Sequence, residues 1–351
     1  MSTPPTTSVE PHHAQHHYHA MDTAPAPQGA TGMKGVLLPV AIVLVIGSIF
    51  VSVFLAAFHA PRPHDLPVAV VGTTPRLEQI TGGLELGLPG GFEVKRYPDA
   101  NAARHALQDR KVYAAYVTGP GKSAELLHAG ANGPSVTSTV TGAFSGVAKA
   151  SGDRLTVQDV VPASAGDTRG MSVFYAGFGV VLAGFLFGMM TYQMAPRLEY
   201  RWRLASLASF SILAGVLVAA MAGSLGFSAL PGPFLGIAGV IALMAAAIGS
   251  ATMMFMRLFG RAGMSLAAVV LLTFGNSTSG GTLPTAYLPD WLHPLSEILP
   301  VGVGVRAVQG LSHFNDDGLT AGVVVLLAWI LVATVVLFLL DARGPRRAAV
   351  D

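Results

Sequence analysis

Six long apolar runs, separated by polar stretches, dominate the pattern of residues along the chain. Several of them exceed about 18 residues without a charge, the length that an α-helix needs to cross the hydrocarbon core of a bilayer. The pattern therefore predicts a polytopic α-helical membrane protein with six spans. The predicted spans are Gly35–Phe58 (in a first transmembrane helix at residues 34–58), Met171–Ala195, Leu204–Leu230, Phe234–Met256, Ala262–Gly275 and Leu319–Leu340.

Residues 59–170 have a different pattern, in which short apolar runs typical of strands alternate with segments of helical periodicity. This alternation predicts a small α/β domain, and about 110 residues are enough to bury a core. Thr74 is the predicted N-cap of the first helix. The predicted strands are Leu66–Gly72, Phe92–Tyr97, Val112–Thr118, Ala124–Ala129 and Leu155–Val161, and the predicted helices are Pro75–Leu86, Ala100–Arg110 and Ser135–Ser151.

The fifth apolar run passes into a neck rich in Gly, Ser and Thr before it completes a full span. Irregular backbone at membrane depth is tolerated only where it is packed in protein or lines a cavity. Residues 276–311 are therefore predicted to form a re-entrant helical pair. Its helices are expected at Leu288–Leu299 and Val301–Leu311, the second with Pro300 at its first position.

Polar and turn-forming residues of this re-entrant pair are candidates for an outer gate. Arg306 is the only basic residue of the region, and Asp290 and Glu297 are its candidate counter-ions. The gate candidates are Asn276, Ser277, Gly280, Gly281, Pro300 and Arg306.

The positions of the arginines predict the orientation in the membrane. Basic residues follow the second, fourth and sixth spans, whereas the connection Ser228–Pro233 between the third and fourth spans carries no charge. The positive-inside rule then puts both termini in the cytoplasm, with residues 1–33 and 343–351 as tails, and the α/β domain and the re-entrant pair outside the cell membrane. The basic residues are Arg197, Arg201, Arg203, Arg257, Arg261, Arg343, Arg346 and Arg347.

Composition agrees with this fold class and excludes several kinds of chemistry. Charged residues are 11% of the chain and hydrophobic residues 52%, and the mean hydropathy is +0.55. A soluble protein carries roughly twice that share of charge. The chain has no cysteine, so disulfides, cysteine-ligated zinc, iron–sulfur clusters and thiol catalysis are excluded. The net charge of +2 says little about partners, because topology places the Lys and Arg residues, and no nucleic-acid partner is predicted.

No Asp, Glu, Lys, Arg or His lies within the six predicted spans. Proton- and ion-coupled carriers need an ionisable group at membrane depth, so a secondary transporter or ion pump is disfavoured, and any driving energy would come from another polypeptide. The segment Gly119–Ser123 looks like part of a phosphate loop, but the position that requires the first glycine is Tyr116. It is interpreted as a surface turn, so the chain itself has no nucleotide-binding loop.

Other candidate chemistry is weak, and neither an enzymatic activity nor a cofactor is predicted. Ser277, Ser279 and His293 lack the spacing of a catalytic triad. A histidine cluster in the N-terminal tail is a weak candidate for binding a transition metal, and a plain flexible polar tail is the alternative, because nothing there would orient the ligands. The cluster is His12, His13, His16, His17 and His19.

Glycines recur along three of the predicted spans, and small residues allow helices to approach closely. Packing inside one bundle, a homodimer seam and a substrate-lining surface are the alternatives. The glycines are Gly177, Gly179, Gly184, Gly188, Gly215, Gly223, Gly226, Gly236, Gly239 and Gly249, of which Gly184 and Gly188 have GxxxG spacing.

The connection Pro196–Arg203 is short, aromatic and cationic. It is either an interfacial helix that docks on a cytoplasmic partner, or a set of topological arginines with Trp and Tyr at the lipid headgroups.

The order of these parts, one span, an α/β domain and five spans with a re-entrant pair before the last, resembles a known family. Short motifs along residues 35–342 add to this likeness. The order of parts and the motifs together resemble the ABC type-2 permease superfamily, in particular its YhgE/Pip (phage infection protein) branch. The motifs are Val68–Gly72, Tyr113–Thr118, the neck Gly275–Gly281, the pairs Leu288-Pro289 and Leu299-Pro300, and His313-Phe314.

The resemblance implies a membrane subunit of an exporter that moves a hydrophobic or envelope-directed substrate. It also implies a homodimer or heterodimer of permeases working with two separate cytoplasmic ATPase subunits. A coupling helix that receives motion from the ATPase would then include Arg197, Glu199, Arg201, Trp202 and Arg203. The alternative is a non-transporting envelope scaffold or surface receptor that uses the α/β domain, and an intramembrane enzyme is the third hypothesis.

Overall fold

The computed structural model describes residues 33–343 of the 351-residue chain. The two predicted tails, with the histidine cluster of the first, lie outside these residues, except that Met33 and Arg343 belong to helices. The chain divides into two compact units, Met1–Val45 and Ile46–Asp351. Of the first unit, the structure describes the start of a helix, and the packing set out below lies within the second.

The described residues form twelve α-helices, one π-helical segment and five strands. In chain order the helices are α1 (Met33–Phe58), α2 (Thr74–Gly87), α3 (Ala100–Gln108), α4 (Pro134–Ser151), α5 (Ser172–Met194), α6 (Tyr200–Ala222), α7 (Phe234–Phe259), α8 (Arg261–Ala267), α9 (Gly275–Ser277), α10 (His293–Ile298), α11 (Pro300–His313) and α12 (Leu319–Arg343). The strands are β1 (Leu66–Val71), β2 (Phe92–Arg96), β3 (Ala114–Thr118), β4 (Ser123–His128) and β5 (Arg154–Asp159), and the π-helical segment is Ala268–Phe274.

Among the described residues, the five helices α1, α5, α6, α7 and α12 are long and apolar enough to cross a bilayer. They indicate a multi-pass membrane protein. The segment predicted as the fifth span is helical from Arg261 to Ser277, but it consists of α8, the π-helical segment and α9, and it is not one of these five. The predicted third span was wrong at its end, because α6 stops at Ala222 and Gly223–Leu230 form a turn.

The helix α7 lies at the centre of the bundle and contacts α5, α6, α11 and α12. Small residues permit this packing. A methyl group added to Gly188 of α5 would lie 2.6 Å from the Cβ of Thr252, and one added to Gly184 would lie 3.0 Å from a methyl carbon of Ile248. Most of the α7 side chains are buried as a result. These two glycines therefore serve packing within the bundle, as in the first of the three alternatives.

The five strands form one mixed sheet in the order β2-β1-β3-β4-β5. The strands β1 and β2, β1 and β3, and β4 and β5 pair in parallel, whereas β3 and β4 form an antiparallel hairpin. The predicted strands and helices all occur, with shifts of one to a few residues at their ends. Gly119–Ser123, interpreted as a surface turn, is the turn of the β3–β4 hairpin. The N-cap of α2 is Thr73, not the predicted Thr74.

Each face of the sheet has its own hydrophobic core, because successive strand residues point to opposite sides. Leu66, Val68 and Val70 of β1 pack on one face with α2 and α4, and Ala69 packs on the other face with α3. Both cores also contain residues from the far end of the chain, and these residues position the candidate site.

Candidate functional site

The turn between α11 and α12 inserts an aromatic side chain into the α3 face of the sheet. Phe314 is only 1% exposed and belongs to the same core as Leu107, Val112 and Leu127. The chain reverses sharply after it, since Asn315 and Asp316 have φ angles of 46° and 63°. This turn, residues 314–318, is referred to below as the docking turn.

The segment that follows the polar neck, residues 282–288, reaches the opposite face of the sheet. Leu283 and Tyr287 are 8% and 3% exposed and join the core that contains Tyr116 and Phe144. The backbone N–H of His64 also donates to the carbonyl of Ala286 at 2.8 Å. The α/β domain is therefore held on both faces by segments that lie next to α11 and α12 in the sequence.

An ion-pair network fixes the docking turn to the α/β domain. Arg110, in the turn between α3 and β3, donates from Nε to Oδ2 of Asp317 at 2.8 Å and from Nη1 to Gln309 at 2.7 Å. Its Cζ lies 4.8 Å from the ring centroid of Phe314, which is a cation–π geometry. Arg306 of α11 donates to both oxygens of Asp317, each at 3.1 Å. One carboxylate thus serves two guanidinium groups.

The electrostatics of this network favour the ionised carboxylate. Burial alone would raise the pKa of Asp317, but the hydrogen bonds and charges of Arg306 and Arg110 outweigh it and lower the pKa below its ordinary value. The pKa of Asp109 is also lowered, first by the hydrogen bond from the Asn315 amide and then by that from Lys111. Arg306 therefore has Asp317 as its counter-ion, and the expectation that Asp290 or Glu297 fills this role was wrong.

A cavity of about 940 Å³ lies between the α/β domain, the neck, α10, α11 and the start of α12. Its volume is at the upper end of the range that ligand pockets occupy. The polar and charged residues of its wall come from both parts of the chain. They are His64, Asp65, Arg110, Tyr113, Asn132, Ser279, Thr282, Thr285, Asp290, His293, Ser296, Glu297, Arg306, Gln309, Asp316, Asp317 and Thr320.

The gate candidates occupy different places around this cavity. Gly280, Gly281 and Arg306 line it. Asn276 and Ser277 are each 1% exposed and lie in the packed neck, where the Asn276 amide donates to Leu272 O at 2.8 Å and the Ser277 hydroxyl donates to Phe274 O at 3.1 Å. The neck is therefore packed in protein, as irregular backbone at membrane depth requires.

Pro300 is the first residue of α11, as the sequence predicts, and it is buried. The helix predicted at Leu288–Leu299 is shorter than expected, because α10 covers only His293–Ile298. Leu288, Leu292 and the α1 residue Val53 instead share a small core.

The coupling candidates divide into two groups. Arg197, Glu199, Arg201 and Trp202 are exposed, with Trp202 at 57%. Arg203 points inward, and its Nη1 lies 2.7 Å from Oδ2 of Asp341 in α12. Arg257 of α7 pairs with the other oxygen of Asp341 at 3.1 Å. Asp341 thus joins the ends of α6, α7 and α12, and Arg203 is a packing residue.

The three candidates for catalysis do not assemble into a triad. Ser279 and His293 both line the cavity, but the Ser279 hydroxyl donates to Asn276 O at 2.9 Å and Ser277 points into the neck. Within residues 33–343, no group of three or more His, Asp or Glu side chains is arranged to hold a metal ion.

Sequence reasoning missed the residues that build the network, namely Arg110, Asp317 and Asp341, and the role of Phe314. The polar turn Asn315–Gly318 between two apolar helices was a visible signal for a structured connection. Nothing in the local pattern indicates that its partner lies in the α/β domain.

In comparisons with known proteins, no protein-family model, curated protein or solved structure matches the chain. The fold and the cavity define a class: a multi-pass membrane protein whose small mixed α/β domain is docked on the ends of its helices.

Proposed function

We propose that the chain is the membrane subunit of an ABC-type exporter, energised by a separate ATPase, for a hydrophobic or envelope-directed substrate. The observation that carries this proposal is the arrangement along the helices. A large polar cavity lies beside the start of α12, and the exposed Arg201 and Trp202 lie at the other end of the bundle, near Asp341 in the last turn of α12. A substrate site and a coupling site at opposite ends of one bundle are what an exporter driven from outside its own chain requires.

The proposed topology puts the α/β domain and the cavity outside the cell membrane and both termini in the cytoplasm. Arg197, Arg201, Arg257 and Arg261 lie at the end of the bundle away from the sheet, which supports this orientation under the positive-inside rule. In this topology the helical segment Arg261–Ser277 is the fifth crossing in chain order and brings the total to six. Two such permeases, identical or related, would assemble with two ATPases in the plasma membrane.

A continuous chain of contacts offers a route for motion between the two ends. Movement of α6 would reach α12 through the ion pair of Arg203 with Asp341. The other end of α12 follows the docking turn, where Asp317 and Phe314 hold the α/β domain. A rigid helix that is bonded to its neighbours at both ends transmits a displacement, so motion of the ATPase would change the shape of the cavity.

A non-transporting scaffold or surface receptor is the second candidate. The insertion of Phe314, Leu283 and Tyr287 into the two cores favours it, because it makes the α/β domain a fixed platform. A receptor would use the cavity without an energy source.

Co-purification in mild detergent separates the two candidates. The exporter proposal expects an ATPase to co-purify with the full chain, and expects Arg201→Glu with Trp202→Ala to reduce this capture about tenfold without changing thermal stability. Arg154→Glu, which alters an exposed arginine of β5, is the matched control and should retain the ATPase. A chain that captures no ATPase from its native membrane would favour the scaffold or receptor.

A further inference from the structure

A second cavity, of about 460 Å³, lies in the α/β domain where the strands β4 and β5 end. Its volume is within the range that small-ligand pockets occupy. His128 and Asp159 are the last residues of these two parallel strands, they pair in register, and both line the cavity. The carboxyl ends of parallel strands are where open α/β sheets bind ligands. The two cavities share Gly170, and the rest of their described walls differ.

The imidazole of His128 is the buried polar group of this second cavity. Because strand residues alternate between faces, His128 lies on the same side as Ala124 and Leu126, which belong to the core between the sheet and α4. His128 is only 8% exposed, and its Nδ1 is sealed from solvent and has no hydrogen-bond partner among the described residues. Nε2 is not sealed, and it forms no hydrogen bond with a described residue either. Since His128 lines the cavity, this open edge of the ring faces it.

The proton of the ring is assigned from the same observation. Orphaned N–H groups are rarer inside proteins than orphaned acceptors, so a sealed Nδ1 without a partner is the unprotonated nitrogen of a neutral ring. A charged ring carries a proton on both nitrogens. In either state Nε2 presents an N–H to the cavity, and this donor is without an acceptor in the described chain.

The carboxylate of Asp159 is held in place by one of its two oxygens. Oδ1 accepts from the backbone N–H of Gly130 at 3.0 Å and from that of Val161 at 3.2 Å. Oδ2 accepts no hydrogen bond from any residue that the structure describes, and Asp159 is exposed. Neighbouring strands lie about 4.8 Å apart, so an imidazole donor and a carboxylate acceptor stand side by side at this edge of the sheet.

This donor and acceptor together select among classes of ligand. A hydroxyl group accepts from an N–H and donates to a carboxylate, so a single hydroxyl group can satisfy both. An ammonium group offers no acceptor to the imidazole, and an anionic ligand offers no donor to Asp159 and is repelled by it. Thr137 and Thr141, which are one turn apart on α4, line the same cavity and add hydroxyl groups that both donate and accept.

We propose that this cavity binds a sugar unit of a neutral glycan, one of whose hydroxyl groups bridges Nε2 of His128 and Oδ2 of Asp159. The α/β domain then has a glycan-recognition site of its own. This inference goes beyond the proposed exporter function. It needs neither an ATPase nor the cavity beside α12, so either proposal can fail without the other.

Saturation-transfer difference NMR of the full chain in phosphatidylcholine nanodiscs tests the ligand class, with empty nanodiscs as the blank. The neutral probes are the methyl glycosides of glucose, galactose, mannose and N-acetylglucosamine. Cyclohexylammonium and cyclohexanecarboxylate are charged probes with a ring of the same size and no hydroxyl group. We expect saturable binding of at least one sugar and of neither charged probe.

Three variants test the assigned contacts. Asp159→Asn keeps the Oδ1 acceptor and replaces Oδ2 by a donor, so it should weaken sugar binding about tenfold. His128→Leu should weaken binding at least as much, and His128→Gln, which keeps a side-chain N–H, should recover part of the loss. Glu78→Gln is the matched control for Asp159→Asn, because it neutralises an exposed carboxylate outside both cavities, and it should leave binding unchanged.

Thermal unfolding of each variant is measured alongside, since His128→Leu alters a buried position. If that variant unfolds, Asp159→Asn at its exposed position decides the test. Failure of all four sugars to bind, or sugar binding that Asp159→Asn does not weaken, would overturn the proposal. Binding of cyclohexylammonium without any sugar would overturn it as well and assign the cavity to a cation.

Discussion

Arg110 and Asp317 form an ion pair across 207 residues of sequence, with Nη2 of the arginine 2.6 Å from Oδ2 of the aspartate. The two side chains are 7% and 16% exposed. The pair closes the α/β domain onto the docking turn and forms part of the cavity wall. The pair therefore connects the α/β domain, the wall of the cavity and the turn that leads into α12.

Replacing Asp317 by Asn should loosen this link. The substitution leaves two guanidinium groups without their shared counter-ion, and we expect a loss of about 3 kcal/mol in the free energy of unfolding at neutral pH. Thermal unfolding of the detergent-solubilised protein measures this loss. The variant Asp290→Asn removes a carboxylate of the same cavity that has no ion pair with a described residue, and it should be nearly neutral.

The same carboxylate makes the stability depend on pH in a defined direction. The folded-state pKa of Asp317 lies below its ordinary value of 3.8. Its contribution to stability is therefore fully present above pH 3.8 and is lost as the pH falls through the lower, folded-state pKa. The stability difference between the unaltered chain and Asp317→Asn should shrink below this pH. A difference that grows with acidity would contradict the assignment. Comparing the two proteins removes the parallel contribution of Asp109, whose pKa is lowered as well.

Phe314→Ala tests whether the docking turn is an anchor. Truncating a fully buried phenylalanine costs about 3–5 kcal/mol, from lost transfer energy and the cavity left behind. We expect faster proteolysis in the α/β domain and a lower melting temperature. Phe227→Ala changes a phenylalanine that is 75% exposed, so it should leave both measurements unchanged. Equal effects of the two variants would show that Phe314 does not anchor the domain.

Two glycines of α5 test the packing of the bundle. A side chain at Gly188 would meet Thr252 and the backbone of Gly249, whereas a side chain at Gly179 would meet nothing within 4 Å. Gly188→Leu should therefore destabilise the protein by about 3 kcal/mol or more, since backbone cannot yield, and Gly179→Leu should be tolerated. Heat-induced aggregation in detergent ranks the variants. Disruption by Gly179→Leu, with loss of an oligomer on gel filtration, would instead place Gly179 in a seam between copies.

Substitutions around Asp341 distinguish the residues that pack this end of the bundle from those proposed to contact the ATPase. Asp341→Asn leaves Arg203 and Arg257 without their counter-ion, and Arg203 is only 11% exposed. We expect a loss of about 2 kcal/mol, below the range for fully buried pairs because Arg257 is 41% exposed. Arg203→Glu should destabilise the protein similarly, whereas Arg201→Glu, whose side chain is 75% exposed, should not. Equal destabilisation by all three would contradict the division of roles.

The secondary structure could be predicted from the sequence because its signals are local. The short apolar run of β1 and the proline at the start of α11 identify their elements without any tertiary information. The fifth apolar run shows the limit of this reasoning. Its hydropathy predicts a span, but it forms a π-helical segment between two short α-helices.

The candidate site was only partly predictable, because its parts are distant in the sequence. The sequence identified Arg306 as the only basic residue of the re-entrant region, but offered Asp290 and Glu297 of the same region as its partners. The true partner, Asp317, is set by the reversal of the backbone at the docking turn and by the burial of Phe314 in a core built more than a hundred residues earlier. Arg110 carries no local signal of its role.

ATP hydrolysis by the purified assembly in proteoliposomes tests the central claim most directly, since this chain is proposed to be the permease of a separate ATPase. We predict vanadate-sensitive hydrolysis that co-purifies with the full chain. It should fall about tenfold with Arg201→Glu and Trp202→Ala, because the exposed charge and aromatic ring are removed together, and it should be unchanged with Arg154→Glu. Absence of hydrolysis from the purified chain, or hydrolysis insensitive to the paired substitution, would contradict the account.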